Sequence, residues 1–468
     1  MQVLTNIQQI IDELSKEIDP KLIVSEPEDL LAYESDATHD LAKMKPDVVI
    51  LPNTTEEVSK VIKFANLYQI PVTPRGAGSG LAGGSTPIKK GLVLDLKRMN
   101  KIIEINRGNM TAVVESGVVL GDFHRAVEKQ KLFYPPDPQS MAVCTIGGNI
   151  ATRAGGPRGV KYGTTSHYVL GLEVVLPDGE IINTGGTCVK HSTGYDLTHL
   201  FAGSEGTLGV ITKANLRLLP LPATHRTVIV TCETAYQASK IISEIIARGV
   251  VPAMLEFISL SAMTLLNKFL IEPLVLNGEA YLFLDLDGEI EQIRKEIEKV
   301  QKICNEMNVV DIRFEEDEEK SASYWIARSN LYPSLVSSVK KLIPEDVTVP
   351  RNLLSEFITE IGKIPTMDHI SIGVSGHAGD GNFHPTIMLT DINSEIEQRA
   401  QEIAGEIIQC ALKMKGGISG EHGIGLHKAQ FIEMELGSRQ LKLQKQIKNA
   451  IDPMGIMNPG KIWLEESE

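Results

Sequence analysis

Short apolar runs alternate with amphipathic segments along the first 222 residues of the chain. The apolar run 47–51 is followed by capping residues and early acids at 52–57, an order that predicts a strand leading into a helix. The same patterns predict a helix over 120–130 and strands over 70–73, 91–96, 111–116, 169–176 and 180–183. The proline-rich segment 218–222 then indicates a domain boundary.

After this boundary the pattern changes. Strands are predicted at 227–231, 280–285 and 312–315, with amphipathic helices at 235–248 and 290–308. Alternating strands and helices of this kind favour an α+β domain. A last helix is predicted within 438–463.

Two histidines flank a glycine-rich turn between the apolar segments 370–374 and 385–389. This pattern predicts a β-hairpin that brings His377 and His384 to the same end. A second glycine-rich turn, 416–423, contains Glu421 and His422. Converging imidazoles and a carboxylate are typical of a divalent metal site, whereas the alternative is histidines that only bind backbone groups. Two such turns in one chain favour the metal site.

Composition narrows the function classes. A chain of 468 residues is expected to form two or three domains, and its net charge of −14 argues against a nucleic-acid surface. It has no run of 18 apolar residues and no signal-peptide pattern, so a cytoplasmic protein is expected, with peripheral membrane association as the alternative. The five cysteines are scattered and never as close as Cys-x-x-Cys, so they predict no iron–sulfur cluster.

Three glycine-rich loops lie in the first half, at 74–84, 145–156 and 203–209. The first contains Gly78-x-Gly80-x-x-Gly83, but Pro87 breaks the helix that a nicotinamide fold requires, and Asp95 comes too early for its acidic residue. Small residues still expose backbone amides to a pyrophosphate, and Arg75 could add charge. Three such loops favour a long, bent ligand over flexible surface loops.

These motifs occur in the order seen in a known family. The motifs are 74–80 (PRGAGSG), 135–138 (PPDP), 147–149 (GGN), 203–209 (GSEGTLG), 377–384 (HAGDGNFH), 420–423 (GEHG) and 458–461 (NPGK). The chain resembles the FAD-linked 2-hydroxy-acid dehydrogenases, which include the flavin subunit of glycolate oxidase and the D-lactate dehydrogenases. The resemblance implies an α+β protein with a two-part FAD-binding domain of the vanillyl-alcohol-oxidase type and an α+β cap domain, with the active site at their junction. It implies an FAD-binding domain at 1–222, a cap with the metal turns at 223–425, and a helical segment at 426–468 that returns to the FAD-binding domain.

The resemblance also implies site residues and cofactors. His422 would be the catalytic base, Arg328 would hold the substrate carboxylate, and a divalent metal (zinc, iron or manganese) would bind His377, His384 and Glu421. Noncovalent FAD would have its pyrophosphate held by Arg75, Gly76, Ala77, Gly78, Ser79 and Gly80, and would be lined by Pro138, Ser140, Thr145, Gly148, Asn149, Thr152, Gly155, Gly206, Ile211 and Asn458.

The implied activity is oxidation of a small 2-hydroxy acid, with D-lactate favoured, to the 2-oxo acid by hydride transfer to the flavin. Family members that act on dicarboxylates carry an extra lysine where this chain has Pro344-Glu345, which favours a monocarboxylate, although Lys340 and Lys341 lie near. Electrons would pass to a separate acceptor, electron-transfer flavoprotein being favoured. The alternatives are a glycolate dehydrogenase subunit that reduces an iron–sulfur subunit or a quinone and, more remotely, a nucleotide-binding metallohydrolase.

Overall fold

The computed structural model describes residues 7–38, 41 and 43–464. The chain divides into two compact units. The first contains the described residues of 1–154, 164–221 and 421–468, and the second contains 155–163 and 222–420. Residues 1–6 and 465–468, which belong to the predicted first and last segments, lie outside the described residues.

The α-helices of the described residues are α1 (Ile7–Glu17), α2 (Thr55–Tyr68), α3 (Leu120–Glu128), α4 (Ile146–Thr152), α5 (Gly159–Tyr162), α6 (Leu197–Phe201), α7 (Ala235–Ala247), α8 (Leu260–Leu266), α9 (Ile290–Glu306), α10 (Glu318–Ser329), α11 (Leu331–Ser338), α12 (Leu354–Gly362), α13 (Ser394–Lys413) and α14 (Ile432–Ile451).

The strands of the described residues are β1 (Ile23–Val24), β2 (Val48–Ile50), β3 (Val72–Arg75), β4 (Leu92–Asp95), β5 (Ile102–Asn106), β6 (Thr111–Glu115), β7 (Leu132–Phe133), β8 (Val169–Val175), β9 (Ile181–Gly185), β10 (Val210–Arg217), β11 (Leu219–Pro220), β12 (Thr224–Cys232), β13 (Met254–Ser259), β14 (Ala280–Gly288), β15 (Asp311–Glu315), β16 (Lys341–Pro344), β17 (Val347–Thr348), β18 (Ile370–His377) and β19 (Asn382–Leu389).

The first unit contains a small sheet of order β1-β2-β4-β3, in which β4 pairs in parallel with both β2 and β3. The helix α2 connects β2 to β3 and begins after Thr54, whose side chain accepts a hydrogen bond from the Glu57 amide, as the capping pattern predicts. A second, antiparallel sheet has the order β5-β6-β10-β8-β9, and the short pair β11-β7 completes the strands of this unit.

The chain returns to the first unit at Glu421, before α14. Met457 forms a parallel bridge with Val72, and the Asn458 amide donates to the Val72 carbonyl at 2.7 Å. Ile456 and Met457 pack in the same buried core as β2 and β4. The C-terminal segment therefore lies beside β3, directly before the first glycine-rich loop.

The second unit is built on an antiparallel sheet of order β15-β12-β14-β13-β18-β19-β16, with β17 paired to β19. The predicted hairpin is confirmed, because β18 and β19 pair over their full length from Ile370↔Leu389 to His377↔Asn382. The helix α10 packs into the core of this unit through Tyr324 and Ala327. This packing fixes the next residue of the helix, Arg328, against the sheet.

Candidate active site

The hairpin register explains how His377 and His384 meet. Ser375 lies opposite His384 and His377 lies opposite Asn382, so the two histidines are diagonal neighbours on one face of the sheet. Their ring centroids are 5.2 Å apart, and their ligand nitrogens lie within 4.8 Å of one another. Two imidazoles at this separation can bind one ion.

A fully buried carboxylate, Glu256, lies beside this pair on β13. Because Phe257 pairs with Gly376, Glu256 stands next to His377 across the strands. His377 Nδ1 donates to Glu256 Oε1 at 2.6 Å, and Arg328 donates to Glu256 Oε2 from Nε at 2.8 Å and from Nη2 at 2.7 Å. Burial alone would raise the pKa of Glu256, but the charges and hydrogen bonds of His377 and Arg328 outweigh it and lower the pKa below its ordinary value.

A second fully buried carboxylate, Asp346, organises the other side of the hairpin. Its Oδ1 accepts a hydrogen bond from Asn382 Nδ2 at 2.8 Å and lies 4.0 Å from His384 Nδ1. Its Oδ2 accepts from Ser419 Oγ at 2.7 Å and from the Gly420 amide at 2.9 Å. Asp346 therefore ties the histidine hairpin to the second glycine-rich turn.

The predicted pair Glu421 and His422 follows Gly420 directly in the chain, at the point where the second unit ends and the last segment of the first unit begins. Consecutive Cα atoms are about 3.8 Å apart across a trans peptide. The hydrogen bond of Gly420 to Asp346 thus fixes the residue that directly precedes Glu421 in the chain.

Sequence patterns missed Glu256 and Asp346 as site residues. Glu256 is the one acid within β13, and Asp346 follows Pro344 and Glu345 between β16 and β17. A carboxylate inside a buried strand is unfavourable unless it is paired. The single acid in the largely apolar segment 254–259 is therefore the sequence feature that could have identified Glu256 as a candidate site residue.

In the first unit, the structure brings the first two glycine-rich loops together. A Cβ on Gly76 would collide with Thr145 Oγ1 and lie 3.8 Å from the Gly148 Cα. Thr145 caps α4, accepting a hydrogen bond from the Gly148 amide at 3.3 Å. The loop 76–80 remains partly exposed, so its backbone is accessible to a ligand.

Arg75 lies beneath this loop and is buried. Its Nη1 donates to the Ser35 carbonyl at 2.9 Å, its Nη2 donates to the Ala32 carbonyl at 3.4 Å, and its guanidinium stacks 5.5 Å from the Tyr33 ring centre. Burial lowers the pKa of Arg75 below its ordinary value. The guanidinium of Arg75 also packs closely against Gly78, so Arg75 stabilises the conformation of this loop.

The third loop and the C-terminal segment join the same region. A Cβ on Gly206, which has φ of 71°, would lie 3.1 Å from Pro74 Cγ, at the end of β3. Asn458 Nδ2 donates to the Gly84 carbonyl at 2.9 Å and to the Glu205 carbonyl at 2.7 Å. Four predicted cofactor segments, distant in sequence, thus meet in one place.

Buried polar atoms in this region have no hydrogen-bond partner among the described residues: Ser116 Oγ, Asn149 Nδ2 and Asn458 Oδ1. Such atoms are unfavourable unless a ligand or water satisfies them. Two of the three residues belong to the predicted cofactor set. Together with the small-residue loops, they fit a long polar ligand such as FAD.

Two buried titratable side chains, Glu205 and Lys461, lie in the same region. Glu205 accepts hydrogen bonds from the Ile424 and Gly425 amides at 2.8 Å each, yet burial raises the pKa of its carboxyl. Burial also lowers the pKa of Lys461 to about 8, against the opposing charges of Asp36 and Glu205. Lys461 donates to the Thr86 carbonyl.

The other predicted residues are placed as follows. Pro138 and Ser140 lie in the loop before α4, where their carbonyls accept from the amides of Met141 (2.8 Å) and Cys144 (2.9 Å). Thr152 donates to the Gly148 carbonyl at 3.2 Å within α4, and Ile211 on β10 pairs with Val174 on β8. Gly155 belongs to the second unit, unlike the rest of the predicted cofactor set.

Comparison with known families matches both units. The model described as FAD linked oxidases, C-terminal domain, matches residues 221–462, and the model described as FAD binding domain matches residues 46–185. These matches give the alternative of a nucleotide-binding metallohydrolase no support.

Curated relatives match over nearly the whole chain. Glycolate oxidase subunit GlcD of Bacillus subtilis (strain 168) is 41% identical over 463 residues, which cover 97% of this chain and 98% of that protein. D-lactate dehydrogenase of Anaerostipes hadrus is 36% identical over 462 residues, which cover 96% of each.

The solved structure of p-cresol methylhydroxylase with substrate bound superposes with a TM-score of 0.81 at 19% identity, covering 99% of this chain and 98% of that one. This likeness shows the fold, and it confirms the predicted class, an α+β protein with an FAD-binding domain of the vanillyl-alcohol-oxidase type. No helix among the described residues is long and apolar enough to cross a membrane.

Proposed function

Because the chain belongs to the family of FAD-linked oxidases, we propose that it oxidises a small 2-hydroxy acid, D-lactate first, to the 2-oxo acid. The observation that carries this proposal is the joint attachment of His377 and Arg328 to Glu256. In this proposal the imidazole would be a metal ligand and the guanidinium would bind the substrate carboxylate, and both contact one buried group. A 2-hydroxy acid presents the two groups that such a pair would recognise, a hydroxyl and a neighbouring carboxylate.

The metal ligands in this proposal are His377, His384 and Glu421. His377 Nδ1 is held by Glu256, which leaves Nε2 as the ligand nitrogen. Asn382 Oδ1, beside the two histidines in the hairpin, is buried and has no hydrogen-bond partner among the described residues, which fits a polar occupant there. Two imidazoles and a carboxylate suit zinc, iron or manganese. A bound divalent ion would polarise the substrate hydroxyl and lower its pKa.

Two protein groups would handle the substrate itself. Arg328 has Nε and Nη2 engaged by Glu256, so Nη1 is the nitrogen that would hold the substrate carboxylate. His422 would accept the hydroxyl proton on a ring nitrogen, which requires a neutral imidazole near working pH. The chain's contribution is then to orient the substrate, remove one proton and exclude water.

A monocarboxylate fits the charges around β16 better than a dicarboxylate. Lys341 is paired with Glu397 at 2.8 Å, and Lys340 is paired with Asp391. Glu345, which stands where dicarboxylate enzymes carry a lysine, is almost fully buried. Neither lysine is therefore positioned as a free second carboxylate anchor.

The cofactor in this proposal is noncovalent FAD, held by the loops around Gly76, Gly148, Gly206 and Asn458. When bound, FAD takes up the two electrons released by the substrate. The meeting of these loops and the unpaired atoms of Asn149 and Asn458 support this assignment. Arg75 would act by supporting the loop that faces the pyrophosphate.

The electrons then leave for a separate acceptor, and we favour electron-transfer flavoprotein. The five cysteines are free thiols, and Cys144, Cys232 and Cys304 are buried. The alternative, a glycolate dehydrogenase subunit that passes electrons to an iron–sulfur subunit or a quinone, is favoured by one observation. The Bacillus subtilis relative is itself named as a subunit.

The test is anaerobic flavin reduction by a panel of D- and L-2-hydroxy acids, with 2-hydroxyglutarate as the dicarboxylate control. Rapid bleaching by D-lactate or glycolate, with slow bleaching by 2-hydroxyglutarate, is the expected result. A flavin that no 2-hydroxy acid bleaches would overturn the proposal. Stopped-flow reoxidation with electron-transfer flavoprotein and with a quinone then identifies the acceptor.

A further inference from the structure

Glu256 joins two functional groups that lie far from it in sequence. Arg328 is 72 positions and His377 is 121 positions away along the chain. Each of the two partners uses a different oxygen of the same carboxylate, and the Glu256 side chain is completely shielded from solvent. The relative position of the guanidinium and the imidazole is therefore set by one rigid planar group.

Stability alone does not account for this arrangement. Replacing a buried ion pair by well-packed apolar residues is commonly neutral or stabilising, since charges lose hydration when they are buried. The neighbours of Glu256 on β13, Leu255 and Phe257, are buried apolar residues that already pack the sheet. A third apolar residue would have continued this pattern.

The hydrogen bond to His377 also fixes the chemistry of its ring. A carboxylate oxygen at 2.6 Å can only accept, so Nδ1 carries a proton and Nε2 is the nitrogen that faces away from Glu256. A carboxylate behind a metal-binding imidazole orients the ring and strengthens it as a ligand, and loss of such a partner lowers metal affinity by about 10- to 100-fold.

We propose that Glu256 is a positioning residue that sets the separation between the carboxylate clamp Arg328 and the metal ligand His377, and so selects substrates whose hydroxyl and carboxylate are on adjacent carbons. This inference rests on the proposed function. A 3-hydroxy acid has one more carbon between the two groups and would not reach both anchors in the same pose. Glu256 thus acts on specificity through two other residues and touches no substrate.

The test compares Glu256→Gln with wild type in the flavin-loaded protein. Glutamine keeps the volume, but its amide presents one acceptor and one donor where two donors converge. We expect metal affinity, measured by chelator competition with zinc or manganese, to fall about 10- to 100-fold while the FAD content stays unchanged. We also expect the ratio of kcat/KM for D-lactate over D-3-hydroxybutyrate to fall at least about tenfold.

Two further variants separate positioning from folding. Glu256→Asp keeps the charge, and so the fold, but is one methylene too short to reach both partners, and it should shift metal affinity and the selectivity ratio in the same direction. Asp285→Asn is the matched control, because Asp285 is a buried strand carboxylate of the same sheet that pairs with His225 at 3.2 Å outside the site. Asp285→Asn should change neither the metal affinity nor the selectivity ratio.

An unchanged selectivity ratio or an unchanged metal affinity in Glu256→Gln, or in Glu256→Asp if the first variant does not fold, would overturn the proposal, whatever the melting temperature does. A wild type that binds no divalent metal would overturn it as well. Failure of the proposed function is distinguished by the wild-type flavin, which then stays oxidised with every 2-hydroxy acid. In that case the metal-affinity comparison still tests whether Glu256 positions His377.

Discussion

The carboxylate of Asp346 accepts a hydrogen bond from the Gly420 amide at 2.9 Å, one residue before Glu421. The same carboxylate binds Asn382 of the histidine hairpin. One buried group thus holds the hairpin and the following glycine-rich turn at a fixed distance. Asp346 itself is fully buried, so its carboxylate depends on these donors in place of water.

Asp346→Asn should therefore weaken the metal site. The asparagine amide would place a donor against a protein donor, at a cost of about 1–3 kcal/mol, and the turn before Glu421 would shift. We expect metal affinity to fall about 10- to 100-fold, measured by chelator competition. Asp391→Asn, at an exposed ion pair with Lys340, is the matched control. Equal metal affinity in the two variants would contradict the assignment.

His384→Ala should remove the metal and the activity together while FAD remains bound. The change deletes one of two adjacent imidazoles, and the remaining ligands are too few to hold the ion. Metal content by elemental analysis and anaerobic flavin reduction are the measurements. His369→Ala is the control, since His369 is exposed and lies 3.2 Å from Thr390 Oγ1 at the other end of β18. Retained metal with full activity in His384→Ala would exclude the site.

His422→Asn should have a different effect, namely loss of flavin reduction with both metal and FAD retained. Asparagine is polar but does not accept a proton near neutral pH, and loss of a general base lowers the rate about 10²- to 10⁴-fold. The rate constant for anaerobic flavin reduction by D-lactate is the measurement. A wild-type rate would remove His422 as the base.

The hairpin of His377 and His384 could be predicted from sequence because its signal is local: two apolar runs around a glycine-rich turn. The glycine-rich loops were found for the same reason. Glu256 and Asp346 were not found, because what defines them is their partners. Asp346 meets Asn382 36 positions away and Ser419 73 positions away, and no local pattern encodes such pairings.

The hydrogen-bond partners of Arg75 also could not be predicted from local sequence. The assignment of Arg75 to the pyrophosphate stays a prediction. In the structure its guanidinium binds the carbonyls of Ala32 and Ser35 beneath the loop. The sequence shows that Arg75 is basic, but it does not show that the carbonyls of Ala32 and Ser35 accept its hydrogen bonds.

Gly76→Ala should weaken FAD binding. The added methyl group would collide with Thr145 Oγ1, so the first loop and α4 must separate. Overpacking of this kind costs about 1–3 kcal/mol, which corresponds to a loss of affinity of about 5- to 150-fold. Flavin retention on dialysis and titration of the stripped protein with FAD are the measurements. Gly186→Ala, where a Cβ meets nothing within 4 Å, should leave affinity unchanged.

Lys461 should make the stability of the flavin-free protein depend on pH in a defined direction. Burial lowers its pKa from 10.5 to about 8. Below pH 8 the side chain is charged in both the folded and the unfolded state, and the cost of burying the charge is present in full. Between pH 8 and 10.5 the folded state has released the proton that the unfolded state still binds, so the free energy of unfolding rises with pH.

The contribution from this group is about 1 kcal/mol between pH 8 and pH 9. Lys461→Met lacks the titrating group, so the melting temperature of wild type minus that of the variant should increase as pH rises from 7.5 to 9. Both proteins are stripped of FAD, so that no cofactor charge contributes. A signed difference that stays constant or decreases with pH would show that the pKa of Lys461 is not lowered by burial.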